Sequence, residues 1–144
     1  MNAHDGEPEL EVLSQAECWQ LVRSQGVGRF ASNQPRRGPH VVPVNYVVHD
    51  DLLIVFRTGA GMKLQSLRHG LVTIQVDEID RVHHTGWSVI VEGSARWLYE
   101  EQEPTAIEQW APGDRPYVVR VQPTRVTGRR IRLHQPDTDP RGYR

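Results

Sequence analysis

The densest grouping of chemically capable side chains is Phe56-Arg57-Thr58-Gly59-Ala60-Gly61-Met62-Lys63-Leu64. The apolar residues before Arg57 predict a strand, the glycines a turn, and the residues after Gly61 the start of a short helix. That order turns free backbone N–H groups toward a guanidinium, a hydroxyl and an ammonium, which are the parts of a phosphate cradle. Lys63 strengthens the reading: of 17 basic residues it alone is lysine, so a chain that writes every other positive charge as arginine keeps a compact ammonium here. Two readings stay open on these residues alone, a phosphate site or a tight turn with solvated Arg57 and Lys63. A Walker loop is excluded because GxxxxGK(S/T) is absent, and a dinucleotide fingerprint because the third glycine and a surrounding βαβ unit are missing.

Two further stretches carry chemistry. Pro43-Val44-Asn45-Tyr46 interrupts a valine-rich strand, and proline within a strand belongs at an edge or bulge, where backbone groups can meet a ligand. An edge device against aggregation explains it equally. Gly86-Trp87-Ser88 opens another strand with a large planar ring beside a hinge, which would cover a flat aromatic ligand, although a core tryptophan is the commoner arrangement. Trp87 and Tyr46 are the candidate walls for such a ligand. The seven histidines lack ligand spacing, and His83 and His84, being adjacent, point to opposite sides of a strand, so no metal site is expected. No GxSxG elbow is present, and Cys18 falls on the buried face of a helix, which leaves no nucleophile and no assigned catalytic residue. Arg125, Arg129, Arg130 and Arg132 read as a solvated edge, with phosphate or dimer contacts as the lesser alternative.

The elements that must position these groups are legible from capping and periodicity. Ser14-Gln15-Ala16-Glu17 is a capping box flanked by Leu13 and Cys18, and the apolar face of Cys18, Trp19 and Val22 predicts a helix ending near Gly26. Strands are expected at 27–32, 40–49, 52–57, 71–77, 87–99 and 117–126, the last running on toward Leu133, with small helices over 61–69 and 100–114. Six strands of alternating character with short connections imply a mainly β fold, an antiparallel barrel rather than a doubly wound sheet. Residues 1–12 and 135–144 are polar and without an apolar period, and are expected as mobile tails around one domain at 13–134.

Composition bounds the function. A chain of 144 residues, 38% hydrophobic and 24% charged, with net charge -1, is one ordinary domain. Its balance argues against a nucleic-acid partner, which calls for a basic face. One cysteine gives no disulfide framework. With neither an apolar run near the ~20 residues that span a bilayer nor a basic N-terminal segment, the chain is expected in the cytoplasm, with no membrane partner.

In order and spacing these stretches resemble the small members of the pyridoxamine 5′-phosphate oxidase-like, FMN-binding split-barrel group, the branch that includes nitroimidazole-resistance-type proteins. LSQAECWQLV, VGRFA, PHVVPVNYVV, FRTGAGMKL, VTIQVDEID, GWSVIVEGSA and VTGRRI carry the similarity from Leu13 to Leu133. The resemblance implies a six-stranded split barrel and a homodimer with two flavin sites at its interface. It places Arg57, Thr58, Lys63 and the adjoining Leu64 at the FMN phosphate, Pro43, Val44, Asn45 and Tyr46 along the isoalloxazine, and Trp87 and Ser88 near the flavin from the partner subunit. The implied activity is oxidoreduction of a small flat substrate. The 8-hydroxy-5-deazaflavin coenzyme and haem are alternative cofactors among such relatives, and a non-catalytic binding protein is the alternative role. VTGRRIRL stands where pyridoxamine-phosphate oxidases carry an arginine-and-histidine pattern, so vitamin B6 oxidation is not the expected reaction. Nor do His69, His83 or His84 match the histidine of nitroimidazole-reducing members.

Overall fold

The computed structural model of the chain describes residues 7–59, 64, 67, 70–99, 107 and 109–133. In chain order its elements are β1 (Pro8–Val12), α1 (Gln15–Ser24), β2 (Val27–Gln34), β3 (Gly38–Val48), β4 (Ile54–Thr58), β5 (Leu71–Asp80), β6 (Thr85–Tyr99) and β7 (Tyr117–Leu133). The helix begins as its sequence dictates: Ser14 is the N-cap and its hydroxyl accepts the Glu17 N–H at 3.2 Å. It ends at Gln25, whose N–H bonds to the Val22 carbonyl in an extended conformation, so Gly26 follows the stop without supplying a left-handed cap.

Strands β7, β4, β3, β2, β5 and β6 pair in that order, and β6 pairs back onto β7, closing an antiparallel ring of six. The ring is strongly staggered. The ladder leaving β6 at Trp97 passes Val119, Phe56 and Tyr46, continues through Gly26 and β5, and returns to β6 near Trp87. Period-two alternation fills the inside with Phe30, Ile54, Phe56, Ile74, Val76, Val89, Val91, Val119 and Val121, with the Phe30 and Phe56 ring centroids 4.9 Å apart. The helix covers part of this core with Cys18 and Val22, which are fully buried. Glycine at 128 permits the approach, since a Cβ there would lie 2.6 Å from the Cys18 sulfur. A smaller apolar cluster of Leu53, Val55 and Val118, packed by Val47 and Ile107, stands apart from the main core.

Several expectations need correction or limits. Residues 8–12, expected within a mobile tail, form β1, which lies antiparallel to the end of β7 from Pro8 opposite Leu133 to Val12 opposite Arg129. Leu10 and Val12 are exposed, so no burial pattern announced the strand; backbone pairing and the approach of Glu11 to Arg130 and Arg132 at 3.7 and 3.5 Å hold it. Those two arginines, read as a solvated edge, therefore have a partner, and Arg125 lies 3.8 Å from Glu92. The strand expected from Leu52 begins at Ile54 because Leu52 takes a positive φ of 62° in the preceding turn. Of the expected helix over 100–114, residues 109–114 are irregular. Most of the other, over 61–69, lies outside the described residues, as do residues 1–6 and 134–144. Among the described residues no helix is long and apolar enough to cross a membrane.

Candidate functional site

Strands β3 and β4 stay together only briefly. Tyr46, Val47 and Val48 pair with Phe56, Val55 and Ile54, and among the described residues the ladder ends there. β4 continues beside β7, with Arg57 opposite Val118 and Thr58 opposite Tyr117, while β3 continues beside β2 from Asn45 to Gly38. The barrel is thereby split, and among the described residues Pro43–Asn45 and Arg57–Gly59 flank the gap in the ladder, the slot. Backbone alternation decides what faces it. The Tyr46 N–H donates to the Gly26 carbonyl at 3.0 Å on the β2 side, so the Asn45 N–H and the Pro43 carbonyl turn toward the slot. Proline at 43 removes an N–H that would have pointed into the same gap. The edge reading of this proline thus has a location, beside the arginine and threonine read as a phosphate cradle.

Side chains divide the same way. Val44, Tyr46 and Thr58 are buried at 9%, 4% and 6% exposure, whereas Pro43 is exposed and Asn45 and Arg57 are half-buried. Tyr46 belongs to the main core and donates its hydroxyl to the Val22 carbonyl. It is consequently not the wall that its ring suggested; burial also holds the hydroxyl neutral well above the ordinary tyrosine range. What Tyr46 brings to the slot is its place in the last rung of the ladder. Gly59 closes the β4 side, and a Cβ there would stand 3.2 Å from the Asp114 carbonyl. Leu64 is buried in the main core, while Lys63 lies outside the described residues.

The other predicted pair sits elsewhere. Trp87 and Ser88 open β6, opposite Glu78 and Asp77 of β5 and Arg130 and Arg129 of β7. Thr58 instead lies beside Tyr117, which faces Tyr99 at the far end of β6. One chain therefore does not bring Arg57 and Thr58 together with Trp87 and Ser88. Trp87 is a core residue at 9% exposure, the commoner of its two readings. It also lines an open concavity of about 600 Å³ with Glu78, Ile79, Asp80, Arg81, Thr85 and Gly86. On the β5 side of Ser88 the outer face is polar, where Arg29 reaches Asp77 at 2.9 Å and Gln75 at 3.2 Å.

Sequence reading missed one contributor, the connection between β6 and β7. Ile107 packs with the outer cluster at Leu53 and Val55, and the Trp110 N–H donates to Asn45 Oδ1 at 3.2 Å. This strap thus lies over the slot between Asn45 and Gly59. Its only local signal was an aromatic beside the turn sequence Ala111-Pro112-Gly113-Asp114.

Among the described residues no three His, Cys, Asp or Glu side chains gather as a metal site. In the β5–β6 turn, Asp80 accepts from the Val82 and His83 N–H groups, and the His83 ring stands 2.7 Å away. These His83 contacts hold the Asp80 carboxyl below its usual range. They define a turn, and no proton-transfer group faces the slot from it. Burial, and secondarily the Glu17 carboxylate, push the Cys18 thiol up, away from nucleophilic use. An open cavity of about 300 Å³ lined by Leu53, Ser94, Arg96, Arg120 and Gln122 shares none of the slot residues.

Comparison with known proteins agrees with the fold. A Mycobacterium smegmatis structure described as an FAD binding protein is 34% identical over 86% of this chain and 100% of its own, with a TM-score of 0.65. A Mesorhizobium loti structure described as an FAD-binding protein shares the fold at 23% identity, 87% and 98% coverage and a TM-score of 0.72. The uncharacterised Mycobacterium tuberculosis protein Rv0080 is 26% identical over 132 residues, 85% of this chain and 86% of its own. Residues 14–130 match the family described as pyridoxamine 5′-phosphate oxidase. With its six-stranded ring split beside Arg57 and Thr58, the chain belongs to the pyridoxamine 5′-phosphate oxidase-like family.

Proposed function

We propose that this protein is a flavin-dependent oxidoreductase acting on a small flat substrate, and that it works as a homodimer. The observation that carries the reading is the split between β3 and β4, which sets an open backbone edge at Pro43–Asn45 beside Arg57, Thr58 and Gly59. The residues fit a flavin monophosphate. Arg57 and Lys63 supply the charge for the phosphate, the end of β4 supplies backbone and hydroxyl groups, and the Asn45 N–H and Pro43 carbonyl are complementary to the acceptors and donors on the edge of an isoalloxazine. The flavin, when bound, supplies hydride or electron transfer at its ring. The chain's own residues bind and orient: Arg57 fixes the phosphate end, Asn45 fixes the ring edge, and the filled barrel behind Val44 and Tyr46 keeps water from that side. No acid or base is required of them, because the cofactor carries the redox step.

Two arrangements support the dimer. Trp87 and Ser88 are remote from Arg57 within one chain, so a complete site takes the partner subunit's Trp87 and Ser88. Beside Ser88, exposed apolar residues are available to a second copy, among them Val12, Ile79, Ile90 and Ile131.

FMN is the cofactor this reading puts first, and the naming of the M. smegmatis relative as an FAD binding protein favours FAD as the second reading. Parallel titration with FMN, FAD, the 8-hydroxy-5-deazaflavin coenzyme and haem separates them. Arg57→Ala is expected to weaken flavin binding by about 10-fold or more, the value of one lost charge-assisted contact at roughly 1.5–3 kcal/mol. Equal affinity of the variant and the wild type would place the phosphate elsewhere. Flavin that binds but is neither reduced by NAD(P)H nor reoxidised faster than free flavin by quinones or nitroaromatics would assign the protein a binding role instead.

A further inference from the structure

We infer that Trp110 covers the outward face of the flavin ring in the slot, making it a ligand-contact residue supplied by the β6–β7 connection. The inference rests on the flavin reading above and adds to it a residue and a direction of substrate entry. The strap carrying Trp110 is anchored on both sides. Before it, Ile107 packs with Leu53, Val55 and Val118; after it, the Asp114 backbone lies over Gly59, where a Cβ would come within 3.2 Å of its carbonyl. At Trp110 itself the backbone N–H is held by Asn45 Oδ1 at 3.2 Å. Yet the residue so placed is 70% exposed, more than Tyr99 at 51%. Its packing within the chain does not account for holding a large ring there.

The slot does. Val44, Tyr46 and Thr58 turn into a filled barrel, so a flat ring hydrogen-bonded along the backbone at Asn45 must stand on the outer side of the sheet. That is the side to which Asn45 directs its own side chain, and Asn45 Oδ1 is the group that pins the strap. An indole there offers a broad apolar face for offset stacking. With that ring face covered, the second substrate reaches the flavin from the opposite face, toward the partner subunit.

The test compares wild type, Trp110→Phe and Trp110→Ala, titrated as purified full chains with FMN and FAD. Followed by flavin absorbance, Trp110→Ala is expected to bind about 5- to 150-fold more weakly, the range for losing one ring-on-aromatic stack, while Trp110→Phe keeps most of the affinity. The emission that wild type has and Trp110→Phe lacks is expected to be quenched as flavin binds. Since energy transfer also reaches a tryptophan that does not touch the flavin, the readout a merely structural residue would not give is the affinity split between Trp110→Phe and Trp110→Ala. Because Trp110 is exposed, both variants are expected to melt with the wild type. Wild-type flavin binding with Trp110→Ala affinity unchanged overturns this inference and leaves the flavin reading standing. Absence of flavin binding by the wild type overturns both.

Discussion

Residue by residue, the site is a division of labour between side chains that point into the barrel and backbone that does not. Tyr46 shows the division most clearly. Its ring fills the core and its hydroxyl ties β3 to the Val22 carbonyl of α1, while its neighbour Asn45 faces out. Tyr46→Phe removes that bond and leaves the Val22 carbonyl with the long Gln25 N–H contact at 3.4 Å, an expected loss of about 1 kcal/mol in denaturant unfolding with little direct effect on the slot. The sign of the pH effect follows from burial. Because the native hydroxyl titrates above the unfolded one, its contribution is present at neutral pH and is lost as pH rises above the ordinary tyrosine value of ~10; Tyr46→Phe should flatten that alkaline decline. What was legible at this scale was residue type, and what was not was direction. Proline in a valine strand announced an edge, and arginine with threonine before glycines left a phosphate site and a solvated turn both open. Whether Tyr46 and Trp87 faced a ligand or the core depended on register, which one chain's alternation fixes only after its partners are known.

Among the elements, α1 and the ring strands were readable because their signals are local, a capping box at Ser14 and β-branched runs between turns. β1 and the strap were not. Pro8–Val12 buries no apolar side chain of its own, and its complement, Arg130 and Arg132, is remote in sequence. The strap is irregular at residues 109–114 and is held by contacts with Asn45 and the outer cluster. The fit of α1 on β7 is the element-scale claim most open to attack. A methyl at Gly128 would meet the Cys18 sulfur at 2.6 Å, Leu13 at 3.1 Å and Val89 at 3.2 Å. Gly128→Ala is expected to cost roughly 1–3 kcal/mol by overpacking. Adding Cys18→Ala should return part of that loss, so the double-mutant cycle reads a coupling of about 1 kcal/mol. Strict additivity would mean that the helix does not rest on Gly128.

For the whole molecule, the ring sets apart the groups that the proposed dimer would bring together. Stagger carries Trp87 and Ser88 to one end of β6 and leaves Thr58 near the other, so the groups proposed around a flavin meet only across two copies. The dimer is implied by family resemblance; the strand register adds that one chain holds Thr58 and Trp87 apart. Sedimentation velocity followed at the flavin's visible band, on protein loaded with FMN or FAD, tests the central claim most directly. The account predicts that the visible absorbance travels with a species of twice the 16.5 kDa chain mass, with one flavin per chain, and that Arg57→Ala sediments equally but carries less colour. Flavin travelling with a monomer, or wild-type protein sedimenting without any visible band, would contradict it.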